Sequence, residues 1–195
     1  MQSGYFKALV ICAFFLSIFT ISAQETTTYT QFITFNIGYG FGQGVSEKGV
    51  GRVKSIGWQK SYGVKNKLRF NPIVMLASLS DAKRSKDQVV FFNVTTLGAM
   101  MHYDLINIKW FSLVTSIGAF GHKTRGIQSP EGFPVFDGKN YYFNKLYYSG
   151  QGAVSLRISP SKSRLAIAIR PMDIQLGNKG FIMGYTTVGV DIGLN

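Results

Sequence analysis

The segment Gln31–Gly42, QFITFNIGYGFG, decides how the chain is read. Ile33, Phe35, Ile37, Tyr39 and Phe41 alternate with Thr34, Asn36, Gly38, Gly40 and Gly42. A period of two puts these sets on opposite sides of a β-strand, one aromatic-aliphatic and the other small or polar. The pattern returns at the far end, where Ile182, Thr186, Val188, Val190, Ile192 and Leu194 alternate with Tyr185, Thr187, Gly189, Asp191 and Gly193. Leu146, Tyr148, Val154, Leu156 and Ile158 likewise oppose Lys145, Ser149, Gln151, Ser155 and Arg157, and Leu165, Ile167 and Ile169 oppose Ala166, Ala168 and Arg170. No segment carries a helical stripe of useful length.

Working outward, the alternation predicts eight strands, at about 30–41, 52–62, 68–79, 89–104, 109–121, 143–158, 164–176 and 181–194. The apolar set changes phase between Asn93 and Leu97 and again at Arg170-Pro171, which predicts a β-bulge at each place. Pro72 marks a further irregularity, because proline brings no donor to the ladder. Connections after the second, fourth, sixth and seventh strands are short: Gly63–Lys67, Leu105–Ile108, Ser159–Ser163 and around Gly177–Gly180. Those after the first, third and fifth are longer: Gly42–Gly51, Ser80–Gln88 and His122–Tyr142.

Composition narrows the class. Of 195 residues, 22 are glycine and 16 phenylalanine, and only 15% are charged against 46% hydrophobic. Disorder needs the reverse balance. Met1–Lys7 carries one positive charge, Ala8–Ile21 (ALVICAFFLSIFTI) is apolar apart from Ser17 and Thr20, and Ser22-Ala23 supplies small residues. This is the layout of a secretory signal peptide, so residues 1–23 are expected to be cleaved, leaving 24–195 as one domain. The run is shorter than the roughly 20 apolar residues a spanning helix needs. Cys12, the only cysteine, lies inside it, so a mature chain would have no thiol chemistry or thiolate metal site. Loss of Lys7 would take the net charge from +12 to +11.

An eight-stranded sheet with short connections at one end and longer ones at the other has the layout of a transmembrane barrel, with periplasmic turns and extracellular loops. In hydrocarbon such a sheet must close on itself. The apolar sets would then face lipid, and the lumen would take Asn36, Gln59, Arg69, Asn71, Lys145, Gln151, Arg157, Arg170, Asp173 and Asp191, with Arg157 and Arg170 pairing with Asp173 or Asp191. A soluble barrel swaps the two faces. The aromatic character of the apolar set, and a polar set of Gly, Ser, Thr, Asn and Gln, favour the membrane form. Tyr39, Phe41, Tyr62, Tyr103, Trp110, Phe111, Tyr141, Tyr142 and Phe143 cluster near strand ends, as interfacial girdles do.

The closing segment Thr187-Val188-Gly189-Val190-Asp191-Ile192-Gly193-Leu194 resembles the terminal strand of the small eight-stranded outer-membrane β-barrel proteins of Gram-negative bacteria. That resemblance implies an antiparallel up-and-down barrel in the cell outer membrane. It also implies recognition of Thr187, Gly189, Ile192 and Leu194 by the barrel-assembly machinery, although Ile192 and Leu194 stand where the family has aromatics. The family includes structural anchors, adhesion proteins and some lipid-modifying enzymes, so the resemblance alone assigns no activity.

The sequence carries no G-x-S-x-G, H-E-x-x-H, G-x-G-x-x-G or P-loop motif, and two histidines, His102 and His122, make a poor metal set. No catalytic, metal or cofactor residue is assigned. His122, opening the longest loop with Ser129 and Glu131, is the best esterase constellation, and a weak one; His102 falls near a periplasmic strand end. Basic residues gather at connections: Lys48, Arg52 and Lys54; Lys65 and Lys67; Lys83, Arg84 and Lys86; Lys123 and Arg125. Export makes nucleic acid a poor partner, leaving lipopolysaccharide phosphates, acidic glycans or an envelope protein. The candidate contact surface is the long loop 121–142, with Phe133, Phe136, Tyr141 and Tyr142 as anchors among Lys123, Arg125 and Lys139; the loop could equally cap the barrel mouth.

Three functions compete: a non-enzymatic outer-membrane protein presenting its loops, a lipid-modifying enzyme on the same barrel, and a soluble lipocalin-like barrel. The alternation yields a direct test of the faces. Val154→Arg or Val188→Arg should lower membrane yield, at about 2–4 kcal/mol for a mid-depth lipid-facing charge. Ser155→Arg should be tolerated better where the lumen has room. Equal membrane yields of the three variants would overturn the outward assignment.

Overall fold

A computed structural model describes residues 29–45, 47–62, 66–81, 90–108, 110–128, 141–160 and 163–194; the segment 1–23, expected to be a signal peptide, lies outside them. Eight strands are present: β1 (Gln31–Gln43), β2 (Lys48–Tyr62), β3 (Leu68–Ser80), β4 (Val90–Ile108), β5 (Phe111–Gln128), β6 (Tyr141–Ile158), β7 (Leu165–Gly177) and β8 (Ile182–Leu194). Each pairs antiparallel with its successor, and β8 pairs with β1, so the sheet is a closed up-and-down barrel. Partners followed around the wall from Gln31 run through Lys60, Phe70, Met101, Ile117, Gly152, Ile174 and Gly184, then return to β1 at Phe41, ten residues further along. A stagger of this kind obliges the strands of a barrel to tilt by roughly 35–45°.

The faces fall as the alternation requires. Phe35, Ile37, Val154, Val188 and Val190 point outward and are exposed, while Thr34, Asn36, Ser155, Thr187 and Asp191 point inward and are buried. Every polar residue expected in the lumen is there. Arg157 pairs with Asp191 (Nε to Oδ2, 3.0 Å) and stacks over the Phe32 ring at 4.9 Å. Arg170 forms no ion pair among the described residues; Asp173 instead accepts the Gln151 amide at 2.6 Å, and Gln175 donates to Gln151 at 2.9 Å. The bidentate pair of Arg69 with Asp104 (2.6 and 3.1 Å) is an addition, because Asp104 had seemed to end its strand.

Strand ends differ most. β2 begins at Lys48, so the first connection is only 44–47, as short as those at the other end. β4 and β5 run past their expected ends, to Ile108 and Gln128, and Leu105–Ile108 is strand rather than turn. The bulge at Arg170-Pro171 is real: the β7–β8 register shifts between Arg170 and Asp173. The bulge expected between Asn93 and Leu97 is absent, since β4 keeps unbroken register with both neighbours there. Phe92 and Val94 simply point inward, so the apolar residues change face while the backbone stays regular. A true shift on β4 lies between Asp104 and Ile106. Pro72 leaves Trp58 and Gln59 without partners in the β2–β3 ladder, but register is the same on either side.

Glycines let the wall close tightly at the β1–β8 seam. A Cβ at Gly38 would overlap the Thr186 carbonyl, and one at Gly189 would overlap the Asn36 side chain. Here Ile33 pairs with Ile192 and Gln31 with Leu194. Deleting Ile192–Asn195 should leave exported chain that fails to enter the membrane, because an open edge in lipid leaves a row of unpaired backbone groups. A truncated chain that still migrates as a heat-modifiable barrel in mild detergent would refute this role of the seam.

Candidate functional site

Above the last β6–β7 pair, Ser149 with Gly177, β6 continues without β7 up to Tyr141, beside β5 and, beyond it, β4, which stays paired with β5 as far as Val90 with Gln128. Tyr141–Tyr148 adds roughly 25 Å of strand at the usual rise per residue. β5 flanks it on one side; on the other, among the described residues, no strand does, and the Tyr148 N–H donates to Asn178 Oδ1 at 2.9 Å. The turn from β7 to β8 is tight here, Lys179 and Gly180 both adopting positive φ, of 52° and 72°.

This hairpin reorganises the expected contact surface. Lys123, Arg125, Tyr141 and Tyr142 lie in strands rather than in a loop; Phe133, Phe136 and Lys139, like Ser129 and Glu131, lie outside the described residues. Strand pairing lasts longer than the sequence suggested because the alternation fades in KTRGIQ, where neither face is consistently apolar. Lys123, Arg125, Tyr142, Leu146 and Tyr148 share the outward face, whereas Tyr141 is on the opposite one. Phe143 also points inward, against the barrel core, so it belongs to no girdle. Tyr39, Phe41, Tyr62 and Tyr103 are outward and exposed, as girdle residues must be.

The outward face carries a signal that sequence reasoning misplaced. Arg52, Ser78, Asn93, Arg125 and Asn144 are successive partners along one rung of the wall. The rung below holds Lys54, Leu76, Thr95, Lys123 and Leu146. Arg52 and Lys54 are therefore outward strand residues, not members of a connection, and they join Lys123 and Arg125 in a cationic band. Ser78 Oγ donates to Asn93 Oδ1 at 2.8 Å within it. Below these rungs the wall is apolar, with Ile56, Val74 and Leu97 exposed. The band lies above this apolar stretch, with exposed Phe91 and Tyr142 on the next rung beyond it.

Inside the same end, polarity runs the other way. Val53, Met75, Ala77, Leu79, Phe92, Val94, Tyr147, Phe181 and Met183 form a buried apolar cluster. Tyr147 donates to Glu47 Oε1 at 2.5 Å, and Lys145 Nζ approaches Glu47 Oε2 at 2.9 Å. Tyr147, Phe181 and His122 stack in series with centroids 4.9 and 4.4 Å apart. His122 thus opens no loop. Its Nδ1 lies 2.9 Å from Thr96 Oγ1 and its Nε2 2.6 Å from Ser149 Oγ. His102 is buried in the wall's lower half, not at a strand end, with Nδ1 2.6 Å from Ser116 Oγ. The His122–Ser149 pair has a hydroxyl, not a carboxylate, on the second nitrogen, and Phe120 and Phe181 stack on either side of the ring. An orienting carboxylate and an open nucleophile, which acyl transfer requires, are missing from this pair; what the contacts supply is hydrogen-bond satisfaction of a buried imidazole.

No family model matches the chain, and no curated protein matches it in sequence. Solved structures do. Neisserial surface protein A superposes with a TM-score of 0.53 at 14% identity, covering 84% of this chain and 97% of its own. Ail, the attachment invasion locus protein of Yersinia pestis, solved in complex with the heparin analogue sucrose octasulfate, gives 0.53 at 12% identity, covering 86% and 100%. At these identities the likeness is one of fold: the chain has the fold of the small eight-stranded outer-membrane β-barrels.

The mouth network is testable on its own. Tyr147→Phe keeps the stacked ring but removes the hydroxyl from Glu47, and should lower unfolding stability by about 1.5–3 kcal/mol, as for hydrogen bonds to charged groups. Unchanged urea midpoints in bilayers would show that Glu47 is held by its other contacts.

Proposed function

We propose that this protein is a non-enzymatic integral outer-membrane barrel that presents the β5–β6 hairpin outside the cell as a contact surface for anionic partners. One observation carries this reading: the outer wall bears a cationic band at Arg52, Lys54, Lys123 and Arg125 above an apolar belt, and β6 runs along it from Tyr141 to Tyr148 with no β7 partner. A spanning barrel needs an apolar outer belt, and the bulk outside it is water. A lipocalin-like barrel in water would want the opposite, a polar outer wall over an apolar lumen, yet Phe35, Ile37, Ile117 and Val190 are exposed here while arginines and aspartates are buried.

In this reading, residues 1–23 direct export, and the β8 residues Thr187, Gly189, Ile192 and Leu194 engage the assembly machinery. Eight strands enclose an interior only wide enough for side chains to fill, so diffusion through it is no part of this reading. The partners are sugar-phosphate or acidic surfaces: lipopolysaccharide around the barrel, or an acidic glycan or protein above it. Lys123 and Arg125 supply charge, while Tyr142, Leu146 and Tyr148 supply exposed apolar area beside it. Aromatic anchors with a basic surround suit such a surface.

Lys123→Glu combined with Arg125→Glu should leave the barrel folded, because both side chains are exposed. Binding of a sulfated polysaccharide to intact cells should fall about tenfold or more at low salt, and the difference should shrink as salt is raised. Binding unchanged by the double reversal would reject the hairpin as the contact surface.

A further inference from the structure

The wall glycines divide into two groups. At Gly38, Gly51, Gly98 and Gly177, a Cβ would press on the carbonyl of a neighbouring strand, so glycine is required by the packing. Gly150 and Gly152 on β6 are different: a Cβ at either would meet nothing within 4 Å. At Gly121 on β5 the one neighbour is a carbonyl at 3.9 Å. None of the three has positive φ among the described residues. Glycine in a strand interior weakens the strand and often marks a bulge, a bend or a close approach by a ligand or another backbone, and the register of β6 with both neighbours is unbroken across Gly150 and Gly152.

These positions are contiguous. Gly121 pairs with Tyr148, Ala119 with Gly150 and Ile117 with Gly152, and across β6 Gly150 meets Leu176 and Gly152 meets Ile174. The result is a groove of about 680 Å³ on the outer wall. Its floor is Gly150 and Gly152 on β6, its sides are Ile117 on β5 and Ile174 and Leu176 on β7, and Val154 stands at its lower end. It runs along the strands in the upper part of the apolar belt. Directly above its floor, the next outward residues are Tyr148 on β6 and its partner Gly121 on β5, and the one beyond Gly121 is Lys123, so the low path over the glycines leads upward to a cation.

We infer that this groove seats one acyl chain of an outer-leaflet lipid whose phosphate is reached by Lys123. The inference rests on the membrane reading above, because the groove belongs to the surface which that reading places against lipid. A linear chain is the occupant that the shape, the apolar walls and the charge at one end select together. The apolar belt and the cationic band meet at this spot, as do the tail and headgroup of a lipid. The seat gives the barrel a bound lipid beneath the stretch of β6 that has no β7 partner.

The test uses the full chain, folded into bilayers of equal phosphatidylglycerol and phosphatidylcholine, extracted in mild detergent and weighed by native mass spectrometry. The expected result is one retained phosphatidylglycerol per barrel. Gly150→Leu combined with Gly152→Leu, for which the groove has room, should reduce retention about tenfold, the equivalent of about 1.4 kcal/mol, while heat-modifiability persists. Lys123→Gln should lower retention of phosphatidylglycerol relative to phosphatidylcholine. A wild-type barrel that retains no lipid overturns the inference whether or not the filled variant folds. So does equal retention by the filled variant, and so does a dimer that the leucines abolish, which would make the groove a seat for a second copy. Fractionation of the expressing cells keeps the premise separate: a barrel released without detergent defeats the membrane reading itself, whereas a detergent-dependent barrel with no groove-dependent lipid defeats only the seat.

Discussion

Closure of the hydrogen-bonded wall is the constraint on which everything else in this molecule depends. A backbone donor or acceptor left unpaired in hydrocarbon costs several kcal/mol, and a sheet edge presents a whole row of them. The pairing of β1 with β8, from Gln31 with Leu194 to Gln43 with Ile182, removes that edge. Closure with a ten-residue stagger fixes the tilt, and the tilt fixes the width of the lumen. A narrow lumen must be filled, so its side chains have to satisfy one another. Arg69 with Asp104 and Arg157 with Asp191 do this with charge, and Gln151 does it with hydrogen bonds, donating to Asp173 and accepting from Gln175.

What surrounds the wall then decides which face is apolar at each height. In the belt, the outside is greasy and the inside holds Asn36, Arg69, Asn71 and Asp191. Above it, the outside becomes Arg52, Asn93, Thr95 and Arg125, while Phe92, Leu79 and Met183 pack within. The barrel has an apolar outside over a polar inside along the belt, and at its upper end an apolar cluster inside with cations on the wall around it. No bulge is needed for the change, because side chains can exchange polarity across a strand while its backbone runs straight.

This exchange explains how much was legible from sequence. The strands, their order, the lumen residues and the bulge near Pro171 could all be read, because alternation is strong wherever the two sides face different media. The change of phase at Asn93–Leu97 looked like a bulge, because periodicity reports which residues are apolar and not which way they point. Lys48–Gly51 and His122–Gln128 looked like loops, because near the membrane surface both faces of a strand are mixed and the signal fades. The cationic band was hidden for a related reason. Its members are scattered along the chain at positions 52, 54, 123 and 125, and only the strand register lines them up. The pairing of Asp104 with Arg69 was likewise invisible, since it depends on β4 continuing beyond the point where the pattern breaks.

The seam has a consequence in time as well as in space. β1 and β8 come from opposite ends of the described chain, so their contact is the most distant in sequence that this fold contains. Contacts between remote segments form slowly, because the chain must be ordered before they reward it. Reopening the seam in lipid would expose the same row of backbone groups with no solvent to receive them, so the barrier to unfolding is high. In the proposed membrane setting, the lifetime of the assembled barrel is therefore set by an escape rate more than by an equilibrium, and the closed wall is a kinetically trapped cylinder.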